Sequence, residues 1–455
     1  MAGAGKDAEA MNVAIVGGGI AGLSAAWTLA REGVGVTLID RNEDLGGRCR
    51  TFEWQGRWVI RGAAAFISGE SNLIRQAEAL GIYEPDAIAD ATPQHSWDIV
   101  HRGGEIFTLP HFRVKDILLS PKIPTSEKIA LGRIIPKLVS QIARNDPRDP
   151  TSAVDLDTEN ACAYFRHYSP AFVDYILEPI MQMFCGYGED DYSLAWLLWL
   201  MSSTFGWSDN WWTFSHRGVG RLTHEMGRQL GAMPRCTIHS RAEATSIKTG
   251  AEGVEIVWKG ANGSQTLKAD AVVVAVPGVL VGRLMPGLDP ARRAFLENVR
   301  YIGHHIVYAV LMSRDAGGDR RSLVLPTAEG YGILSNVNVD PLGDGRWHFY
   351  GEIKGDACAN LRDRSDREIV EAALGDLKKC LPEFDDAEPA EFYLQRNDIG
   401  LCSRHAGFIT ALKNFRDLAP LPRVEFAGDY LINSTVGQSH YSGDVAARRL
   451  LERLP

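Results

Sequence analysis

The sequence predicts an α/β protein, and three observations carry that expectation. A buried-strand run at residues 13–16 stops abruptly at a glycine-rich turn, from which a helical pattern continues through residues 23–30. A second apolar strand, residues 36–39, ends in an acid, Asp40. The 455 residues are 45% hydrophobic and 23% charged, the composition of an ordinary globular chain long enough for two domains.

The turn reads Gly17 Gly18 Gly19 Ile20 Ala21 Gly22, a G-x-G-x-x-G in the strand–turn–helix context that gives it meaning. Gly17 makes the tight turn. Gly19 lets a pyrophosphate approach the backbone N–H groups at the positive end of the helix, where Ile20 and Ala21 stand, and Gly22 lets helix and strand pack closely. Asp40, eighteen residues beyond Gly22 and followed by Arg41, is placed to accept hydrogen bonds from an adenosine ribose. This domain is therefore expected to be Rossmann-like. The next motif, Leu45 Gly46 Gly47 Arg48, adds a glycine pair and a guanidinium that would fork onto the pyrophosphate.

With these residues the sequence resembles the FAD-containing superfamily of amine oxidases, protoporphyrinogen oxidases and phytoene-type desaturases. The resemblance implies FAD as cofactor and a Rossmann-like FAD-binding domain of the GR2 type with an interleaved α+β substrate domain. It runs through later segments. Residues 269–277, ending at Pro277, look like the strand that returns to the FAD domain, and Ser215 to Leu222 like the segment that leads back there. Residues 238–247 resemble the short strands beside the adenine, with Ala244 where relatives usually have valine. Phe426 Ala427 Gly428 Asp429 begins the C-terminal flavin motif, and Asp429 would hold the ribitol or pyrophosphate region. Val436 Gly437 Gln438 opens a last helix whose N–H groups would face flavin N1 and the C2 carbonyl. Two departures stand out: Gly437 and Gln438 replace a Glu-Gly pair, and Gly62 Ala63 Ala64 follows Ile60 Arg61 where relatives commonly carry an acid.

The family layout divides the chain into a disordered tail at 1–10, an FAD domain from 11–80, 215–285 and 415–455, and a substrate domain from 81–214 and 286–414. A net charge of −9 gives no attraction to nucleic acid. Seven scattered cysteines without a C-x-x-C pair signal neither a disulfide framework nor a metal site and suit a reducing cytosol; the start of the chain does not read as a secretion signal. Basic residues interleave with apolar ones over 113–144, read as a solvated face of short helices broken by Pro121, Pro124 and Pro136 rather than a membrane-contacting surface.

A single dinucleotide fingerprint, already assigned to FAD, leaves no visible NAD(P)H domain. Electrons would enter from a substrate and leave to oxygen or a quinone. The expected reaction removes a hydride from a C–N or C–C bond of an apolar or aromatic small molecule; the rivals are a polyprenoid desaturase or isomerase, and a non-catalytic FAD-containing binding module. Trp207, Trp211 and Trp212 would contact the substrate, whereas Trp196 and Trp199 have the spacing of a buried helix face. The resemblance aligns His304 with a lysine that the amine oxidases place near flavin N5. His304 and His440 are the candidate acid–base residues, since imidazole titrates near neutral pH. Cys402 stands near a covalent-flavin position of some monoamine oxidases, in a poorly matching context.

Overall fold

Strands made almost wholly of Val, Ile, Leu and Ala bury both faces, which a parallel sheet requires. In the computed structural model, which describes residues 11–67, 70–83, 88–90, 97–101, 105–109, 114–202, 211–214 and 216–453, five strands lie side by side, the three central ones of this kind. Their order is Cys236–His239, Gly35–Ile39, Asn12–Val16, Ala271–Val274 and Val424–Phe426, every neighbour parallel. Val13, Ala14, Ile15 and the four residues 271–274 have no exposed surface. The opening helix, Ile20–Arg31, and the final helix, Val436–Leu451, meet closely at Gly443, where a Cβ would stand 2.0 Å from the Ala21 carbonyl oxygen. Thr28 Oγ1 donates to Asp444 Oδ1 at 2.7 Å across the same contact.

The chain divides into two units, the first gathering 1–91, 210–299 and 414–455 and the second 92–209 and 300–413. The boundaries differ from the family layout for local reasons. Strand Ile88–Asp90 pairs antiparallel with Trp211–Phe214, which draws both into the first unit. Helix Pro290–Asn298 joins it through Phe295, whose ring lies 4.5 Å from that of Phe415 and 6.4 Å from that of Tyr430.

The second unit is built on a seven-stranded sheet ordered Glu388–Gln395, Ile306–Met312, Arg346–Glu352, Asn336–Gly343, Arg321–Val324, Trp97–His101 and Glu105–Leu109. Alternation sorts its two faces. Val307, Ala309, Leu311, Val337, Val339, Trp347, Phe349 and Leu394 bury against Ile369, Val370, Ala373, Leu374 and Leu377 of helix Asp366–Cys380. The alternate residues form an in-register row on the other face, Tyr393, Tyr308, Tyr350 and Asn338.

The basic segment corrects one expectation. Pro136 lies inside an unbroken helix, Thr125–Ile142, and Pro124 caps its start. Gly132 and Pro136 are both exposed, so water can satisfy the carbonyl that the proline leaves without a donor. Leu119, Ile129 and Val139 are exposed on this segment, and among the described residues no helix is long and apolar enough to cross a membrane.

Candidate functional site

The glycine turn has the geometry its spacing demands. Gly17 sits at φ +105°, and a Cβ there would lie 2.5 Å from the Ala275 carbonyl oxygen. At Gly22 a Cβ would fall 1.8 Å from the Gly17 oxygen, so strand and helix touch through missing side chains. Gly19 differs: no protein atom lies within 4 Å of its would-be Cβ, and the helix it caps receives no side-chain cap. Open space outside an uncapped helix start, over the first helical residues Ile20 and Ala21, fits a phosphate-bearing cofactor.

Around this cradle the other motifs converge. Gly46 N donates to Gly18 O at 2.7 Å, and the left-handed Gly46 and Gly47 (φ +114° and +56°) lie against Gly19. Asp40, buried at the strand end, takes Gly18 N on Oδ2 at 2.6 Å and Asn42 N and Nδ2 on Oδ1 at 2.7 and 2.9 Å. Three of its roughly four acceptor sites are thus occupied by the loop, leaving one for a hydroxyl. Arg41 is exposed. The Asp40 carbonyl receives Ala242 N at 2.8 Å, which brings strand Glu243–Thr249, and Ala244 on it, close to the end of the strand that carries Asp40.

Arg48 and Asp429, 381 residues apart, form an ion pair at 2.8 Å. The carboxylate is 2% exposed and the guanidinium 34%. Gly62 is needed where a Cβ would strike the Arg48 carbonyl at 2.8 Å, and Ala63 N donates to that same oxygen; Ala63 is half-buried and Ala64 exposed. Gly428, at φ +149°, donates its N–H to Ser442 Oγ. Pro277 caps the helix Gly278–Leu284, two residues after Ala275, which follows strand Ala271–Val274 and abuts Gly17.

At the final helix Thr435 is the cap, its Oγ1 accepting from Gln438 N at 3.3 Å, with Val436 and Gly437 buried. A Cβ on Gly437 would stand 2.5 to 2.7 Å from the Glu70 side chain, a contact the motif's missing Glu-Gly pair makes possible. His440 has a different surrounding from that of a proton shuttle. Its Nδ1 lies 3.1 Å from Asn72 Nδ2 and its Nε2 3.3 Å from Gln76 Oε1, and burial lowers its pKa to about 4. Nδ1 accepts and Nε2–H donates, so both nitrogens are spent tying helix Ser71–Ala79 to the final helix. Asn72 also donates to the Gly437 carbonyl at 2.8 Å. Neither Asn72 nor Gln76 carried a sequence signal beyond lying on one helix face.

His304 belongs to the second unit, just before strand Ile306–Met312, and is 9% exposed. Its Nε2 is 3.7 Å from Oε1 of Glu352, a buried carboxylate that Tyr350 Oη donates to and whose Oε2 accepts from Asn336 Nδ2 at 3.0 Å. Asn397 holds the main chain, accepting from His304 N at 2.9 Å and donating Nδ2 to His304 O at 3.0 Å. Glu352, Tyr350, Asn336 and Asn397 were not singled out from sequence. The alternation Trp347 His348 Phe349 Tyr350 Gly351 Glu352 was the available signal, a strand with one apolar and one hydrogen-bonding face.

Trp207 lies outside the described residues, and Trp211 and Trp212 are on strand Trp211–Phe214 of the first unit. Trp196 and Trp199 are buried in helix Leu194–Leu200. Cys402 is fully buried in the second unit, with Arg404 Nη1 at 3.0 Å from its sulfur. Among the described residues no cluster of His, Cys, Asp and Glu could hold a metal ion.

Residues 20–451 match the family described as flavin containing amine oxidoreductase. The mitochondrial protoporphyrinogen oxidase of Nicotiana tabacum is 26% identical over 209 residues, 45% of this chain and 39% of that protein, so the match spans about two-fifths of that relative. The L-amino-acid oxidase of Daboia russelii is 22% identical over 477 residues, covering 97% of this chain and 89% of its own. A triple mutant of putrescine oxidase shares the fold with a TM-score of 0.77 and 18% identity over 98% of this chain and 99% of that one. The dinucleotide cradle and the match agree on a flavoprotein with FAD as cofactor. The chain belongs to the flavin containing amine oxidoreductase family.

Proposed function

We propose that the protein is an FAD-dependent oxidoreductase that dehydrogenates a C–N bond of a small molecule, passing electrons to oxygen or a quinone. The first unit would hold the cofactor. Gly17, Gly19 and Gly22 form the phosphate cradle over Ile20 and Ala21, Asp40 takes the ribose, Arg48 and Asp429 lie along the pyrophosphate and ribitol, and the start of the final helix faces the flavin ring. When bound, FAD supplies the hydride acceptor.

The observation that carries the choice of bond is the hydrogen-bonding face of the second unit's sheet, where Tyr393, Tyr308, Tyr350 and Asn338 lie in register beside Glu352 and Asn336. These groups bond one another, Tyr350 Oη to Glu352, Asn336 Nδ2 to Glu352 Oε2 at 3.0 Å and Tyr393 Oη to Gln395 Oε1 at 2.9 Å, so the face they form is polar and suits a nitrogenous substrate better than a polyene or other hydrocarbon. This favours C–N over C–C chemistry and moves the substrate class away from purely apolar molecules. The relative that covers nearly the whole chain is named for an L-amino acid, which agrees in direction.

An aerobic peroxide assay of the yellow protein against amines, amino acids, porphyrinogens and polyenes, with a parallel anaerobic flavin spectrum, tests the proposal. Peroxide and flavin bleaching with amines or amino acids are expected. Bleaching by porphyrinogens or polyenes alone overturns the choice of bond, and turnover of none of the four classes overturns the oxidoreductase reading in favour of a binding module.

A further inference from the structure

We propose that Glu352 is a positioning residue for His304, holding the imidazole in the tautomer with its proton on Nε2, so that Nδ1 carries the lone pair that takes a proton from the substrate nitrogen. The inference rests on the C–N reading above. In the step it serves, the N–H proton passes to His304 Nδ1.

The geometry fixes both partners. Glu352 accepts Tyr350 Oη on Oε1 and Asn336 Nδ2 on Oε2, and its own N–H donates to Asn336 Oδ1 at 3.2 Å. Burial raises the Tyr350 pKa well above 10, so the phenol stays a donor. A carboxylate held by two donors can only accept from a third neighbour, and that neighbour is His304 Nε2 at 3.7 Å. The separation exceeds a hydrogen bond, as catalytic contacts often do before substrate closes them. The histidine backbone cannot slide away. Asn397 clamps its N–H and carbonyl, and a Cβ on Gly400 would stand 2.6 Å from His304 Cβ and 2.7 Å from its N.

The adjacent histidine shows what a structural imidazole looks like here. His305 Nδ1 accepts from Asn397 N at 3.1 Å, its Nε2 lies 3.8 Å from Asp398 Oδ1, and burial lowers its pKa, with Asp398 opposing and Arg396 assisting. The lone pair of His305 is spent on the backbone, whereas the Glu352 contact leaves that of His304 at Nδ1.

The experiment is nitrogen NMR of the holoenzyme labelled in histidine, with His304→Gln identifying the resonance. In the native protein His304 is expected to show a protonated Nε2 and an unprotonated Nδ1. In Glu352→Gln, the amide orientation that avoids the Asn336 donor turns its NH2 toward His304, which must then accept at Nε2 and carry its proton at Nδ1. Tyr350→Phe, which removes one donor and keeps the carboxylate as acceptor, should leave the proton on Nε2 and guards against a misfolded first variant. With the substrate found by the peroxide assay, Glu352→Gln should lower kcat on the order of 10²-fold with KM little changed, and adding it to His304→Gln should slow the enzyme no further. An unchanged tautomer in Glu352→Gln, or rate losses that multiply in the double variant, overturns the proposal. Should no substrate be found, the C–N reading fails while the tautomer result still decides whether Glu352 positions His304.

Discussion

The two units place chemistry by opposite means. In the first, the proposed cofactor cradle is made by side chains that are missing: Gly17, Gly19, Gly22, Gly46 and Gly47 bring backbone to backbone within a short stretch of chain. In the second, the cluster is made by side chains that are present, His304, Asn336, Tyr350, Glu352 and Asn397, gathered from two strands and two loops. Backbone geometry is local in sequence and side-chain convergence is not. The first kind of site is therefore readable as a motif and the second only through sheet register.

That contrast is tested most severely at the glycines. Gly22→Ala puts a methyl 1.8 Å from a main-chain oxygen that cannot move away cheaply. A loss of about 3 kcal/mol or more is expected, together with the yellow colour of the purified protein. Gly19→Ala meets no atom within 4 Å, so the cofactor-free protein should melt as the native one does while FAD affinity falls about tenfold or more. Calorimetry of the two apoproteins with FAD titrations separates the roles. Equal destabilisation by both would mean that the space at Gly19 is not kept for a ligand.

Acid should expose a cost the units share. Burial holds His440 in the first unit, and burial with Arg300 and Arg404 holds His405 in the second, at a pKa of about 4. Both are neutral in the fold and protonate near 6.5 once unfolded. Because the unfolded chain binds more protons between these values, stability is full above pH 6.5, falls as pH drops, and levels off below 4. For His440 the loss is about 3 kcal/mol. His440→Gln, which can keep one hydrogen bond to helix Ser71–Ala79, should flatten the pH dependence of the first unit's melting. A slope that is unchanged would show that the imidazole is already charged in the fold.

The Arg48–Asp429 pair should be asymmetric. Removing Arg48 leaves a carboxylate that is 2% exposed without its cation, whereas Asp429→Asn leaves a guanidinium that is 34% exposed and can find water. Arg48→Ala is expected to cost about 2–3 kcal/mol and Asp429→Asn about 1 kcal/mol, read by urea denaturation of the apoprotein. Similar losses would mean that the pair is no more than a surface contact.

Legibility follows the same division. The parallel strands, the opening helix and the order of the glycine motifs could be read because each depends on residues a few positions apart. The strand expected at 13–16 is Asn12–Val16, and that expected at 36–39 is Gly35–Ile39. The amides that hold His440 and the carboxylate that faces His304 could not be read. Gln76 and His440 are 364 positions apart, and His304 and Glu352 meet only because Ile306 pairs with Glu352 across two strands. Pro136 misled for a different reason: a proline breaks a helix when its orphaned carbonyl is buried, and exposure is not written in the local sequence.

The smallest expected effect is also the cleanest comparison, because each unit has a helix capped by the same bond. Thr435 Oγ1 accepts from Gln438 N at 3.3 Å at the final helix of the first unit, and Ser365 Oγ accepts from Glu368 N at 3.3 Å at helix Asp366–Cys380 of the second. Replacing either cap with alanine should cost about 1 kcal/mol, since one N–H of the first turn loses its acceptor in both. The functional consequences should separate. Helix Asp366–Cys380 backs the apolar face of its sheet, so Ser365→Ala should leave the flavin absorption spectrum as it is. The final helix is proposed to face the flavin ring, so Thr435→Ala should loosen the turn that carries Val436 and Gly437 and shift the flavin bands and reduction potential. Equal stability losses with a spectral change in Thr435→Ala alone would show that the first unit's backbone is cofactor-binding surface, while identical spectra would place the ring away from that helix.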